Sequence, residues 1–256
     1  MSDAVAPTDA VEIIAHRGYS ARAPENTLAA FEAAVAAGAD AVEFDIHTAA
    51  CGTPVIFHDT MLSRTTNAVG PIRRRTLGQL KGLDAGAWFS RKFMRERIPS
   101  LQEGLATLRG HVGRVYAEIK GFREMEDLDR ILRVTADENM LAHTCFISLK
   151  WTALDRLRSR DPGVQVGYIV DDADRAEEAI ERCAGNGRSL VDYRARLLLD
   201  DPELARRTEE RHVDMAVWTV NDPGEASRLY DEGVRRFTTN EVDDLLAWKR
   251  RLPAGL

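Results

Sequence analysis

Short β-branched, apolar runs alternate with stretches of helical character from Val11 to the end of the chain, the pattern expected of repeated βα units around a parallel sheet. Eight strand candidates stand out, at 11–15, 41–46, 114–119, 144–149, 164–169, 189–193, 214–220 and 235–238. Each is followed by a stretch that suits a helix. Pro24-Glu25-Asn26 opens an Ala-rich helix that stops near Gly38, and both Asp200-Asp201-Pro202-Glu203 and Asn221-Asp222-Pro223-Gly224-Glu225 read as a cap with proline near the first turn. The repetition is architectural, since no stretch of sequence recurs and no low-complexity linker divides the chain.

The second unit is longer than the others. Roughly 70 residues separate the strand at Glu43 from the strand at Glu118, about double the βα spacing of a barrel near 250 residues. A small insertion at approximately 47–100 is therefore expected, within a single domain over 1–256. It holds a short strand at 54–57, the His58-Asp59 turn, the loop Arg64-Thr65-Thr66-Asn67 and the basic run Arg73-Arg74-Arg75, which reads as a solvated face. Phe57, Trp88 and Phe89 are expected to pack this insertion onto the barrel.

Chemistry-bearing residues fall at the predicted carboxyl ends of strands, where barrel enzymes build their sites. Side chains two apart on a strand point the same way, so Glu43 and Asp45 share one direction, and Glu118 and Lys120 share another. Three converging acids are costly without a cation, and oxygen donors without thiolates favour Mg²⁺ or Ca²⁺. His16, followed by Arg17 and Gly18, and His58, beside Asp59, supply two imidazoles that exchange protons near neutral pH. Which is acid and which is base stays open. Arg17 and Lys120 suit an anionic substrate, and Trp218 suits an apolar wall opposite the charged groups. His47 reads as a loop residue, and His111, His143 and His212 are given no chemistry.

Composition narrows the partners. A chain of 256 residues and 28.5 kDa fits one large α/β barrel about as well as two small domains. Its net charge of −6 argues against nucleic-acid binding, so an anionic substrate must be held by local cations. Cys51, Cys145 and Cys183 are odd in number and widely spaced, as for reduced thiols. The opening residues have no basic start and no apolar stretch, and no segment approaches a membrane span, so a cytoplasmic location without a stable membrane anchor is expected. Oligomeric state is not legible.

In order and spacing, His16-Arg17-Gly18, Pro24-Glu25-Asn26-Thr27, Glu43-Phe44-Asp45, His58-Asp59, Arg64-Thr65-Thr66, Ile98-Pro99-Ser100-Leu101, Glu118-Ile119-Lys120 and Val217-Trp218-Thr219-Val220-Asn221 resemble the glycerophosphodiester phosphodiesterase family. The resemblance runs from Ile13 to about Asn240. It implies a TIM (β/α)8 barrel with a small insertion after the second strand, a divalent metal at Glu43, Asp45 and Glu118, a catalytic pair at His16 and His58, and substrate-phosphate contacts at Arg17 and Lys120. The family's reaction releases sn-glycerol 3-phosphate and an alcohol from small glycerophosphodiesters such as glycerophosphocholine or glycerophosphoethanolamine. The rival readings are a phospholipase D acting on lysolipids and a catalytically silent metabolite-binding barrel. Departures from the family pattern occur at Ala50-Cys51-Gly52, His212-Val213-Asp214 and Phe237-Thr238-Thr239-Asn240, and none is expected to touch the catalytic groups.

Overall fold

The computed structural model describes residues 10–185 and 188–253. Its elements follow in the order β1 (Glu12–Ala15), α1 (Leu28–Ala37), β2 (Ala41–Thr48), β3 (Pro54–Ile56), α2 (Leu77–Lys81), α3 (Leu101–Leu108), β4 (Arg114–Gly121), α4 (Met125–Asp137), β5 (Thr144–Ser148), α5 (Trp151–Arg160), β6 (Gln165–Val170), α6 (Ala176–Cys183), β7 (Ser189–Arg194), α7 (Ala195–Asp200), α8 (Pro202–Glu210), β8 (Asp214–Trp218), α9 (Pro223–Asp231), β9 (Arg236–Thr239) and α10 (Val242–Lys249). Eight strands pair in parallel from β1 through β2, β4, β5, β6, β7, β8 and β9, and β9 pairs back with β1. The sheet therefore closes into the TIM barrel that the sequence predicts.

Strand parity explains what fills it. One set of alternate side chains, including Ile13, Val42, Phe44 and Val115, packs outward into the large core under the helices. The other set faces the barrel interior in layers. Ile14, Ala41, Cys145, Ile169, Leu190 and Ala216 make an apolar middle. Below it, at the amino ends of the strands, Arg236 is 3% exposed and donates to Glu12 at 2.8 Å and through Nε to Asp214 at 3.0 Å, while the Tyr116 hydroxyl donates to Glu12 at 2.7 Å. This floor joins β1, β4, β8 and β9, with Arg236 shared between its two acids.

The helix boundaries follow their caps. Thr27 caps α1 by accepting from the Ala30 N–H, and Gly38 ends it at φ 85°, sending its own N–H back to Ala34 and Val35. The stretch from Pro24 is thus a turn before the helix, because Asn26 lies in the left-handed region at φ 58°. The two Asp-Pro signals do open α8 and α9, with proline in the first turn of each.

Between β2 and α3 the chain leaves the barrel. β3 runs antiparallel to the end of β2, with Ile46 opposite Ile56 and Thr48 opposite Pro54. Val55, Phe57, Leu62, Ile72, Leu80 and Ile98 build a separate small core there. Phe57 packs in this core of the insertion and not onto the barrel, and Trp88 and Phe89 lie outside every apolar core, because their rings pack on each other with centroids 5.7 Å apart. No helix among the described residues is long and apolar enough to cross a membrane.

Replacing Arg236 by Met leaves Glu12 and Asp214 without their shared cation in a buried layer. The expected loss is about 3–5 kcal/mol of unfolding free energy, read from urea denaturation midpoints. A loss below about 1 kcal/mol would show that the floor is not holding the barrel.

Candidate active site

Three acids converge at the carboxyl ends of β2 and β4. Glu43 and Asp45 alternate on β2, and Asp45 lies directly across from Glu118. All three are buried, and oxygens from each lie within 4.8 Å of one another. Their neighbours offset part of this charge. The Lys120 ammonium sits 3.0 Å from Glu118 and 3.6 Å from Asp45, and Arg17 Nε sits 3.4 Å from Asp45. Asn26 clasps Asp45 from both sides, donating to its carboxylate at 2.7 Å and accepting from its backbone N–H at 3.1 Å. The Arg17 backbone N–H donates to Glu43 at 2.9 Å.

Negative charge still exceeds what these groups cancel. Burial, then Asp45 and Glu118, push the Glu43 carboxyl well above the ordinary range; burial and Asp45 push Glu118 up to about 7. Burial also opposes the charge on Asp45, but Arg17 and Lys120 outweigh it and hold that carboxyl low. Asp45 Oδ1 is buried with no hydrogen-bond partner. An orphaned oxygen beside two converging carboxylates fits a hard divalent cation, which takes oxygen donors in this number and satisfies them at once.

The two histidines come from different loops. His16 follows β1, and its Nδ1 lies 2.7 Å from Asn240 Oδ1, an oxygen that also accepts from Ser20 at 2.9 Å. The proton therefore sits on Nδ1, leaving Nε2 bare, 3.9 Å from Glu43. Burial, reinforced by Arg17, lowers the His16 pKa to about 4, so the ring is neutral at neutral pH. Asn240 is one of the departures from the family pattern, and here it touches a candidate catalytic group after all.

His58 follows β3, and its Nδ1 lies 2.6 Å from Asp59. Arg64 grips Asp59 with two donors at 2.7 and 2.9 Å and Glu25 with two more at 2.8 and 2.7 Å; Glu25 in turn accepts from Arg17 at 2.8 Å. Hydrogen bonds from Arg64 hold the Asp59 carboxyl below the usual carboxylate range. A continuous chain of charge-assisted bonds thus runs from His58 to Arg17. His47 belongs to it from behind. It is buried in β2 where the sequence suggests a loop, because a register shift after Ile46 carries the strand on to Thr48, and its Nε2–H donates to the His58 carbonyl at 3.0 Å. Gly121 on β4 leaves room for this ring, since a Cβ there would lie 2.7 Å from His47 Nδ1.

Local backbone geometry brings Arg17 into place. Arg17 and Gly18 both have positive φ, 56° and 79°, and a Cβ at Gly18 would meet Ala30 backbone atoms at 2.7 Å. Only glycine allows this turn to pack on α1.

His16, Arg17, Glu43, His58, Glu118 and Lys120 line one side of a cavity of about 70 Å³ that opens to solvent. Ile147, Leu149, Ile169, Trp218, Thr238 and Asp192 line the other. Trp218 is half-buried, its Nε1–H donating to the Asp192 carbonyl at 3.3 Å. The structure thus brings all eight sequence-predicted site residues to one place. Asp192 on β7 has no sequence motif to mark it. Its Oδ1 is buried without a partner, and burial, with Glu118 nearby, drives its carboxyl pKa well upward.

Comparison with known proteins gives a consistent picture. A family model described as the glycerophosphoryl diester phosphodiesterase family matches residues 16–244. A glycerophosphodiester phosphodiesterase of Caldanaerobacter subterraneus subsp. tengcongensis is 29% identical over 243 residues, covering 93% of this chain and 98% of that protein. One from Bacillus subtilis is 27% identical, covering 92% and 85%. Among solved structures, an Oleispira antarctica phosphodiesterase in complex with the product sn-glycerol-3-phosphate superposes with a TM-score of 0.82 at 29% identity, covering 93% of this chain and 96% of that one. A glycerophosphodiester phosphodiesterase from Agrobacterium tumefaciens gives 0.80 at 26%, covering 93% and 99%.

Protons and a cation compete for the same oxygens. Because the folded Glu118 pKa is raised, to about 7, affinity for a divalent cation is expected to fall about tenfold per unit as pH drops below that value, measured by titration calorimetry. The same shift means that, without a cation, stability from Glu118 is full below its ordinary value near 4.5 and is lost as pH rises through about 7. A Glu118→Gln variant should flatten both dependences; an affinity indifferent to pH would contradict the convergence of the three acids.

Proposed function

Because this chain belongs to the glycerophosphoryl diester phosphodiesterase family, we propose that its barrel mouth cleaves glycerophosphodiesters by proton transfer between His16 and His58 beside a divalent cation held by Glu43, Asp45 and Glu118. The reaction is hydrolysis to sn-glycerol 3-phosphate and an alcohol. One observation carries the reading: three clustered acids, two imidazoles and two cations meet at one cavity that opens to solvent.

The all-oxygen donor set favours Mg²⁺ or Ca²⁺, and such an ion would supply positive charge for the nonbridging phosphate oxygens. Arg17 and Lys120 hold the same phosphate from the sides, Arg17 by its planar donors and Lys120 as a point charge. His16, kept neutral with Nε2 bare, suits the base that takes the proton of the attacking hydroxyl. His58, with the Asp59 carboxylate behind Nδ1, suits the acid that gives a proton to the departing alcohol. The attacking hydroxyl belongs to water or to the glycerol 2-position.

Across the cavity, Trp218 and the aliphatic wall cover the carbon skeleton, and the orphaned Asp192 oxygen takes up a glycerol hydroxyl. Glycerophosphocholine and glycerophosphoethanolamine are the substrates of choice on this reading. A single domain with its insertion at approximately 47–100, no nucleic-acid partner and a cytoplasmic location belong to the same proposal, the last resting on three scattered cysteines.

Purified protein incubated with glycerophosphocholine should release glycerol phosphate with Mg²⁺ or Ca²⁺ and not with EDTA. His16→Ala and His58→Ala should each lower kcat by about 10²- to 10⁴-fold. A p-nitrophenyl glycerophosphodiester, whose leaving group needs no proton, should restore His58→Ala to within about tenfold of the parent and leave His16→Ala impaired. Activity confined to lysophosphatidylcholine would overturn the substrate class, and rescue of the opposite variant would reverse the two assignments. Asp192→Ala should lower kcat/KM by about 2- to 10-fold for glycerol diesters, the worth of a hydrogen bond between neutral groups. That loss should vanish with a diester lacking glycerol hydroxyls.

A further inference from the structure

Charge is distributed unevenly along this chain. Residues 49–100 carry nine Lys or Arg and three Asp or Glu, a net +6, in a protein of net −6 overall, so the remainder holds −12. Several cations of the insertion are also free of acids. Arg73, Arg74, Arg91 and Arg95 are exposed and form no ion pair among the described residues. Other arginines are gripped by acids, as Arg156 and Arg160 are by Asp129.

Apolar side chains are exposed beside these cations. Among the large exposed hydrophobic residues described, four of five lie in the insertion, including Trp88 at 43% and Met94 at 58%. Trp88, Phe89 and Phe93 form a row of edge-to-face rings with centroids 5.7 and 5.6 Å apart, and the Lys92 ammonium lies 5.1 Å from the Phe93 ring centre. The row packs against no core. It is nevertheless well ordered by its backbone. Asp84 accepts from the N–H groups of Gly86, Ala87 and Arg95, and the Ala85 N–H donates to the Glu96 carbonyl at 2.8 Å, closing residues 84–96 into a compact loop.

From this juxtaposition of an ordered, coreless aromatic row and unpaired cations we infer that the insertion docks reversibly on an anionic lipid bilayer, with Trp88 and Met94 entering the headgroup layer and Arg91, Lys92 and Arg95 meeting lipid phosphates. Tryptophan favours that depth because its ring is amphipathic, and each cation close to an anionic leaflet strengthens binding. The acidic remainder of the molecule is repelled by the same surface, so only this face approaches it. Neither the aromatic row nor the cations belong to the cavity, so docking sets where the protein works and leaves the chemistry of cleavage unchanged.

The test is flotation of the full chain with vesicles of phosphatidylcholine alone or mixed with phosphatidylglycerol, at low and high salt. Partitioning is expected only onto the mixed vesicles at low salt, with a blue shift of tryptophan fluorescence. The double substitution Arg91→Gln with Lys92→Gln should weaken partitioning by about 25-fold, at roughly fivefold per cation. Trp88→Ala should abolish the blue shift, since Trp151 and Trp248 are already buried and Trp218 lies in the cavity wall, away from the docking face. Unchanged hydrolysis of a soluble diester in these variants certifies their folding. No partitioning onto the mixed vesicles, partitioning indifferent to these substitutions, or loss of self-association in place of vesicle binding would overturn the inference.

Discussion

Three carboxylates held within 4.8 Å in a buried site repel one another and lose hydration, and the upper half of this barrel is arranged around that cost. Arg17 and Lys120 offset it with charge, Asn26 with two hydrogen bonds to Asp45, and the Arg17 backbone with one to Glu43. These answers shape the backbone as well. Arg17 and Asn26 both take left-handed conformations, which turn the loop after β1 back onto the acids and delay the start of α1 to Leu28. The remaining excess of negative charge is what a divalent cation would relieve, and a phosphate would then meet a site whose net charge has changed sign.

The two ends of the barrel treat buried charge in opposite ways. At the floor, Arg236 is shared by Glu12 and Asp214, and the Tyr116 hydroxyl donates to Glu12. At the mouth, Asp45 and Asp192 each keep a buried oxygen without a hydrogen-bond partner. Inward-facing positions of one closed sheet supply both layers, so the direction of the chain separates stabilising from reactive charge.

Features that depend on strand parity were legible before any coordinates. Glu43, Asp45, Glu118 and Lys120 follow from alternation, and the eight barrel strands lie within a few residues of their expected positions. Features that need several loops to meet were not. Arg64 is a loop residue in the sequence, and only the fold shows it bridging Asp59 to Glu25. His47 escaped because a register shift lengthens β2 beyond the end its composition suggests. Asp192 lies among apolar neighbours with no motif around it, and Asn240 looks like a harmless departure until it is seen 2.7 Å from His16. Trp88 and Phe89 misled in the opposite sense, since aromatic residues in an insertion suggest packing, and nothing local reveals which way the segment turns.

The bond between His16 and Asn240 joins residues 224 positions apart, and it lies beside the seam where β9 pairs with β1. A chain emerging from the ribosome would present His16 well before Asn240, and its imidazole would lack its orienting amide until the 224 positions between them had been spanned. Premature termination a few residues short of Asn240 would then leave almost every reactive side chain in hand but the first histidine unanchored. Assembly of the site in this way waits until Asn240 has been made and β9 closes on β1.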